Sequence, residues 1–392
     1  MASIFPGPIK GWSTSNISDL LALPRQKLGL NDYGAFFFQE GLDALVKAVF
    51  AEKKISPIGR IIIKKSILDY LTNRLLIQET IRCHPDILLL KIQRPLFIVG
   101  LNRTGTTMLH NLLALAPDAR GPRTWELIQP APPCQPDSLE ARHRISRARG
   151  LLRLLQCATA GLKIIHPMEA TDIEECYPLI NNTFTSPAFL MHYGLSSYAD
   201  WLKEVDIYIT RWVYREYLTQ LKILQSTKPH RRWILKSAVH LYFLDALLEE
   251  IPDALIVQTH RDPLQMIPSI CSLASCFRNL ICATQSPENL GLECLDIVKE
   301  TLIRGYKARE KHNKAQILDI DFDELITDPI SQVYRIHEYF NLDWEVSHEK
   351  QMQKWLISHP PPRRGQHHYS MAQFGLNQDM IISAMSYPNI HN

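Results

Sequence analysis

Apolar residues recur at helical spacing through most of the first ninety positions. Cap-type residues open Asn16–Leu23, Ala35–Ala51 carries one apolar stripe, and Ile62–Ile81 repeats the pattern with Ile63, Leu68, Leu71, Leu75 and Ile77. Pro24 and Pro57 are expected to separate these helices. Arg94-Pro95 closes the helical region, and Leu96-Phe97-Ile98-Val99 follows as a short, wholly apolar run of buried-strand type. Three more such runs, Trp233–Leu235, Ala254–Gln258 and Gln316–Ile320, are each followed by a helical pattern. That alternation predicts an α/β fold, a mainly parallel sheet flanked by helices. Between the first two strands lies a long insertion, about 120–230, Pro-rich at first and then mostly helical. Insertions at the carboxyl ends of such strands tend to shape a substrate pocket. Residues 360–365 read as a loop leading into a last short helix.

Composition narrows the classes. With 392 residues, 46% hydrophobic and 21% charged, the chain is long enough to bury a large core and too apolar to be disordered. Lys+Arg 43 against Asp+Glu 40 leaves +3, so a general nucleic-acid binder is not expected and any anion must be held locally. The eight cysteines form no Cys-x-x-Cys pair. Cys271, Cys276 and Cys282 fall in one helix-like segment, where the step from 271 to 276 turns by about 500° and argues against a metal cluster. Reduced thiols, no signal-type N-terminus and no membrane-length apolar run predict a cytoplasmic protein; the longest candidate, Leu151–Ile165, is broken by Arg153 and Lys163.

The most informative stretch is Phe97-Ile98-Val99-Gly100-Leu101-Asn102-Arg103-Thr104-Gly105-Thr106-Thr107, a strand, a two-glycine loop and a helix start. Such a loop turns backbone N–H groups inward, the helix N-terminus adds partial positive charge, and Thr106 and Thr107 add hydroxyls. The Gly100-x-x-x-x-Gly105 spacing is that of a nucleotide phosphate loop, but Thr106 stands where an ATPase or kinase has lysine, and the charge sits earlier, at Arg103. The alternative is an ordinary strand-to-helix turn.

Two further basic motifs follow. In Ile256–Pro263 a buried strand ends at Arg261; Asp262 is placed to cap the next helix and Pro263 to occupy its first turn. Ser269 lies eight residues beyond Arg261, and Pro268 is expected to kink the helix beside it. Near the C-terminus, Arg363-Arg364-Gly365 is a basic pair and a glycine in a loop. Taken one at a time, each is also readable as solvated surface charge.

Together the three motifs resemble the sulfotransferase family that uses 3′-phosphoadenosine 5′-phosphosulfate (PAPS). The likeness is to its bacterial branch, which around the loop is similar to tyrosylprotein sulfotransferases, and it covers roughly residues 94–376. The resemblance implies that Arg103, Thr104, Gly105, Thr106 and Thr107 hold the 5′-phosphosulfate, and that Arg261 and Ser269 bind the 3′-phosphate with Arg363, Arg364 and Gly365. It also matches Lys236, in Leu235-Lys236-Ser237, to the family's lysine near the bridging oxygen. The chain departs at Asn102 and Ala238, where proline is common.

In-line sulfuryl transfer needs a base for the acceptor hydroxyl and positive charge for the leaving phosphate. Arg103 and Lys236 are candidates for the second task; Glu126, in Arg123–Leu127, and His240 compete for the first. His166 and Glu174, in the segment running from His166 to Cys176, are candidates to line the acceptor pocket. No metal is implied, and adjacent His367 and His368 lack a carboxylate or cysteine partner at usable spacing. The expectation is a P-loop-like sulfotransferase portion, 94–392, with a helical region, 1–93, packed on it and the 120–230 insertion as acceptor lid. The expected acceptor is a small molecule with a hydroxyl, such as a natural product. A phosphate-loop kinase, and a non-catalytic adaptor using residues 35–90 or Phe36-Phe37-Phe38, stay open as alternatives.

Overall fold

The computed structural model describes residues 16–159, 167–227, 231–359 and 370–386. Five parallel strands, β1 (Leu96–Ile98), β2 (Ala119–Arg120), β3 (Arg232–Lys236), β4 (Leu255–His260) and β5 (Ile317–Asp321), form one sheet in the order β2-β3-β1-β4-β5. The four expected strands are present. The fifth, β2, is two residues long, too short to carry a periodicity signal. Ile98 pairs with Lys236 on one side and Val257 on the other, so β1, β3 and β4 run level with one another there. From β1 the chain builds outward in both directions. The switch point lies between β1 and β4, the position where such sheets bind ligands beyond the carboxyl ends of the strands.

Alternate apolar residues feed opposite cores, which explains why β1, β3, β4 and β5 each hold consecutive apolar residues. Phe97, Val99, Leu235 and Ile256 join a large buried cluster built with the N-terminal helices and the insertion. Leu96, Ile98, Ile234 and Val257 face a smaller one, with Leu109, Leu112 and Leu113 from the helix Thr106–Ala114 and Val333 and Ile336 from the helix Pro329–Tyr339.

The N-terminal helices run Ile17–Leu28, Phe38–Ala51 and Pro57–Cys83. Asn16 and Ser56 cap the first and third, and Pro57 sits in the first turn of the third, as expected. Pro24 does not separate helices; it lies buried inside the first, which continues to Leu28 and stops at left-handed Gly29. Of the three adjacent phenylalanines Phe38 is fully buried and Phe36 exposed. Buried Arg74 ties these helices to the insertion. Its guanidinium donates to the Tyr33 carbonyl at 2.6 and 3.0 Å, to the Asn182 carbonyl at 3.3 Å and to the Glu216 carboxylate at 3.1 Å.

The insertion is helical among the described residues, with segments Thr124–Ile128, Leu139–Ala158, Tyr177–Asn181, Ala188–Tyr193, Ser196–Lys203 and Ile207–Gln225. All eight cysteines are free thiols, and Cys282 lies beyond the helix Pro263–Arg278 that carries Cys271 and Cys276. No helix among the described residues is long and apolar enough to cross a membrane.

Candidate active site

The loop after β1 is held in a strained, preset shape. Arg103 and Gly105 both have left-handed backbone, with φ of 74° and 81°. Glycine adopts this freely, whereas for arginine it costs on the order of 1 kcal/mol. Gly105 offers no side-chain cap to the Thr106–Ala114 helix, so the first N–H groups of that helix suit an anion. Gly100 has no room for a side chain, because a Cβ there would stand 1.8 Å from Thr259 Oγ1. Thr104 is turned away from the loop's mouth: its buried hydroxyl bonds the Leu101 carbonyl and Thr259 Oγ1, both at 2.6 Å. Its side chain therefore fastens the loop to β4 and leaves the Thr104 backbone for a ligand.

The loop after β4 meets this one across the switch point. Arg261 Nη1 donates to the Arg103 carbonyl at 2.9 Å, and its guanidinium lies 4.1 Å from the ring centre of Phe322. Arg103 Nε donates to Ser269 Oγ at 3.1 Å. Asp262 caps the following helix through Leu264 N, and that helix runs on through Pro268 to Arg278. Arg103, Arg261 and Ser269, read from separate motifs, therefore form one cluster.

Lys236 ends β3 and is buried. Its Nζ lies 2.8 Å from Glu175 Oε1 and 3.3 Å from Thr107 Oγ1. Burial alone would lower the lysine pKa, but the charges of Glu175 and Glu174 outweigh it and hold the group above its ordinary value, as an ammonium. Glu175 is placed by the backbone beside it: Cys176 N donates to the Lys236 carbonyl at 3.0 Å. The second oxygen of Glu175 accepts from Ser237 Oγ at 3.4 Å.

Comparison with known proteins bears on what this arrangement is. The sulfotransferase family profile matches residues 95–346, which span every strand and the loops just described. The chain belongs to the sulfotransferase family. Sulfotransferase STF1 from Mycobacterium tuberculosis superposes with a TM-score of 0.84 at 29% identity, over 95% of this chain and 98% of that one. Sulfotransferase STF9 from Mycobacterium avium gives 0.85 at 26% identity, over 95% of each. Among curated proteins, the omega-hydroxy-beta-dihydromenaquinone-9 sulfotransferase Stf3 of M. tuberculosis and of M. bovis is 26% identical over 288 residues, 68% of this chain and 67% of theirs. The chain is thus a sulfotransferase with the P-loop-like fold, and the kinase and adaptor alternatives fall away.

Within this sulfotransferase the two expected bases are both buried and hydrogen-bonded. Glu126 is buried, with one oxygen on Arg120 Nη2 at 2.7 Å and the other on the Arg123 N–H at 2.8 Å, where it closes the first turn of its own helix. Arg120 lies over the Trp233 ring at 4.1 Å. Trp233 and Lys236 are three residues apart on β3, so they leave opposite faces about 10 Å apart. His240 is fully buried, its Nδ1 2.9 Å from Tyr214 Oη and its Nε2 3.1 Å from Cys176 Sγ. The thiol donates onward to the Lys236 carbonyl at 3.3 Å, so the network assigns Nε2–H donating to sulfur and Nδ1 accepting from tyrosine. Burial pushes the imidazole pKa down to about 3. Both side chains are thus engaged in buried hydrogen bonds.

Glu175 is the carboxylate the sequence reading passed over in naming its neighbour Glu174, which accepts from the Glu175 N–H at 2.7 Å. The pair of glutamates before an apolar helix start was the available signal, but its partner Lys236 is 61 residues away. Arg363, Arg364 and Gly365, like His166, His367 and His368, lie outside the described residues.

Proposed function

We propose that this sulfotransferase moves the sulfuryl group of PAPS to a hydroxyl of a small-molecule acceptor, with Glu175 as the base. The observation that carries the reading is the convergence of Arg103, Arg261 and Ser269 where the loops after β1 and β4 meet. One end of a donor with two phosphate groups suits the open helix N-terminus with Thr106 and Thr107; the other suits Arg261 and Ser269. Arg363, Arg364 and Gly365 are assigned to that second phosphate on their motif alone.

In the reaction the acceptor oxygen bonds to sulfur as the bond from sulfur to the phosphate oxygen breaks, and the hydroxyl proton leaves to a base. Lys236, held charged beside Thr107, and Arg103 supply positive charge for the phosphate oxygen as it becomes an anion. Glu175 borders the same lysine and is half-buried, which supports it as the group that takes the proton. Glu174 is assigned to the acceptor side of the pocket.

A hydroxyl acceptor is supported by the name of the Stf3 relative, whose acceptor is a hydroxylated menaquinone derivative. The two-part organisation, 1–93 against 94–392, belongs to the same proposal.

The test is direct. 3′-Phosphoadenosine 5′-phosphate should raise the melting temperature, and ATP with Mg²⁺ should not. Labelled PAPS should then pass its sulfuryl group to hydroxyl acceptors in the presence of EDTA. Stabilisation by ATP and Mg²⁺ alone would overturn the choice of donor.

A further inference from the structure

The helix Leu139–Ala158 of the insertion presents an outer face that neither the core nor the proposed chemistry explains. Its inner face, Ala141, Arg144, Ala148 and Leu152, packs with Trp125 and Ala170 in a small separate core. On the outside Leu139 is 63% exposed, Leu151 44% and Leu154 68%, and Arg142, Arg147, Arg149 and Arg153 are exposed as well. At about 100° per residue, Leu139 and Leu154 fall within about 60° of each other. Arg142, Arg149 and Arg153 line one flank of that strip, and Arg147 and Leu151 the other.

The charge is one-sided. The helix holds five arginines and a single acid, Glu140, which is taken by buried Arg144 at 2.8 Å. No ion pair among the described residues engages Arg142, Arg147, Arg149 or Arg153. A solvated helix face ordinarily interleaves acids with its bases at i,i+4; this one has no such acid, and carries exposed Leu139, Leu151 and Leu154 with His143, Ser146 and Gly150 between them. Exposed leucines flanked by uncompensated arginines fit the headgroup layer of an anionic membrane. There the leucines enter the acyl boundary, and long basic side chains reach back to phosphate.

We propose that this helix docks the protein on an anionic lipid surface. The docking does not depend on which donor or acceptor the enzyme uses. It does bear on where an acceptor would come from. The inner face of the same helix is linked to the chain leading into Glu175, through Gln156 Nε2 on the Met168 carbonyl at 3.2 Å. Thr124 continues the link, its Oγ1 donating to the Glu169 carbonyl at 2.8 Å.

The experiment is co-sedimentation of the full chain with vesicles of phosphatidylcholine alone, or of phosphatidylcholine with phosphatidylglycerol. Binding is expected only to the anionic vesicles, and is expected to fall with salt. Arg149→Gln with Arg153→Gln should weaken partitioning about 30-fold. Leu151→Ser with Leu154→Ser should weaken it at least about tenfold with the charge unchanged. All four positions are exposed, so melting temperature and nucleotide stabilisation should stay at wild-type values and show that the variants fold. Failure of the wild type to sediment with anionic vesicles at low salt would overturn the proposal. So would equal binding to neutral vesicles, or variants that sediment like the wild type. A self-association in ultracentrifugation that Leu151→Ser/Leu154→Ser abolishes, without lipid binding, would assign the face to a second copy instead.

Discussion

Replacing Glu175 by glutamine isolates the pair at the centre of the site. The change keeps the shape of the side chain and removes the charge that sits 2.8 Å from buried Lys236. Breaking a buried pair by removing one partner typically costs about 3–5 kcal/mol, because the other charge is left uncompensated. Glu174 remains nearby and Glu175 keeps some solvent contact, so the lower end, about 3 kcal/mol, is expected here. A chain of this length has an unfolding entropy of roughly 0.8 kcal/mol per degree, so the melting temperature should drop by about 4 °C at neutral pH. The pH dependence gives the sharper test. In the wild type the raised lysine pKa means that the pair's contribution is present below the unfolded value and is lost only as pH rises through the folded one, above about 10.4. In the variant, burial is opposed by less negative charge, so Lys236 gives up its proton at lower pH and the penalty fades as pH rises. Scanning calorimetry from pH 7 upward should therefore show the gap between wild type and variant narrowing. A constant gap, or one under about 1 °C, would refute the claim that Lys236 is held charged by Glu175. If Glu175 is also the base, kcat should fall by about 10²–10⁴ while nucleotide binding is kept.

Other outcomes separate the remaining roles. Arg261→Ala should weaken 3′-phosphoadenosine 5′-phosphate about 10–100-fold in calorimetric titration, the loss of one charge-assisted contact; unchanged affinity would remove Arg261 from the site. Glu126→Gln should destabilise by about 3 kcal/mol, since Arg120 would be left buried over Trp233, yet the folded enzyme should keep its kcat within a few-fold. Loss of turnover at full stability would restore Glu126 as a base. His240→Ala should cost about 3–5 kcal/mol through a cavity and the orphaned Tyr214 and Cys176, read as a fall in melting temperature. Because burial lowers the pKa of both His240 and His110 to about 3, only the unfolded chain takes up their protons. Stability should therefore decline as pH falls below about 6.5, and less steeply in His240→Ala.

How far the sequence could be read depended on how local each cause was. Four strands were visible because each holds consecutive apolar residues that feed both faces of the sheet. The cluster of Arg103, Arg261 and Ser269 was legible because Gly100 and Gly105, and Arg261 and Ser269, sit at spacings that belong to single turns and single helices. What stayed hidden is made by tertiary pairing. β2 exists only because Ala119 and Arg120 lie beside Arg232 and Trp233. The fastening role of the Thr104 hydroxyl exists only because Thr259 is brought against it. Glu126 and Glu175 are both carboxylates in the insertion, and no periodicity tells which one lies beside Lys236. The distinction comes from a backbone bond, Cys176 N to Lys236 O, that closes a loop of 60 residues. Pro24 misled for another reason: a proline at that point lost less than the buried face of its helix contributed.

The Arg74 junction has a practical corollary for anyone trimming this protein. A version begun at residue 94 would delete the guanidinium along with Tyr33, leaving the Glu216 carboxylate and the Asn182 carbonyl without the donor they share. It would also bare the side of Trp212 and Phe184 that now rests against Phe37 and Phe38. Such a fragment, although it contains the whole matched family region, should come out of expression as aggregate.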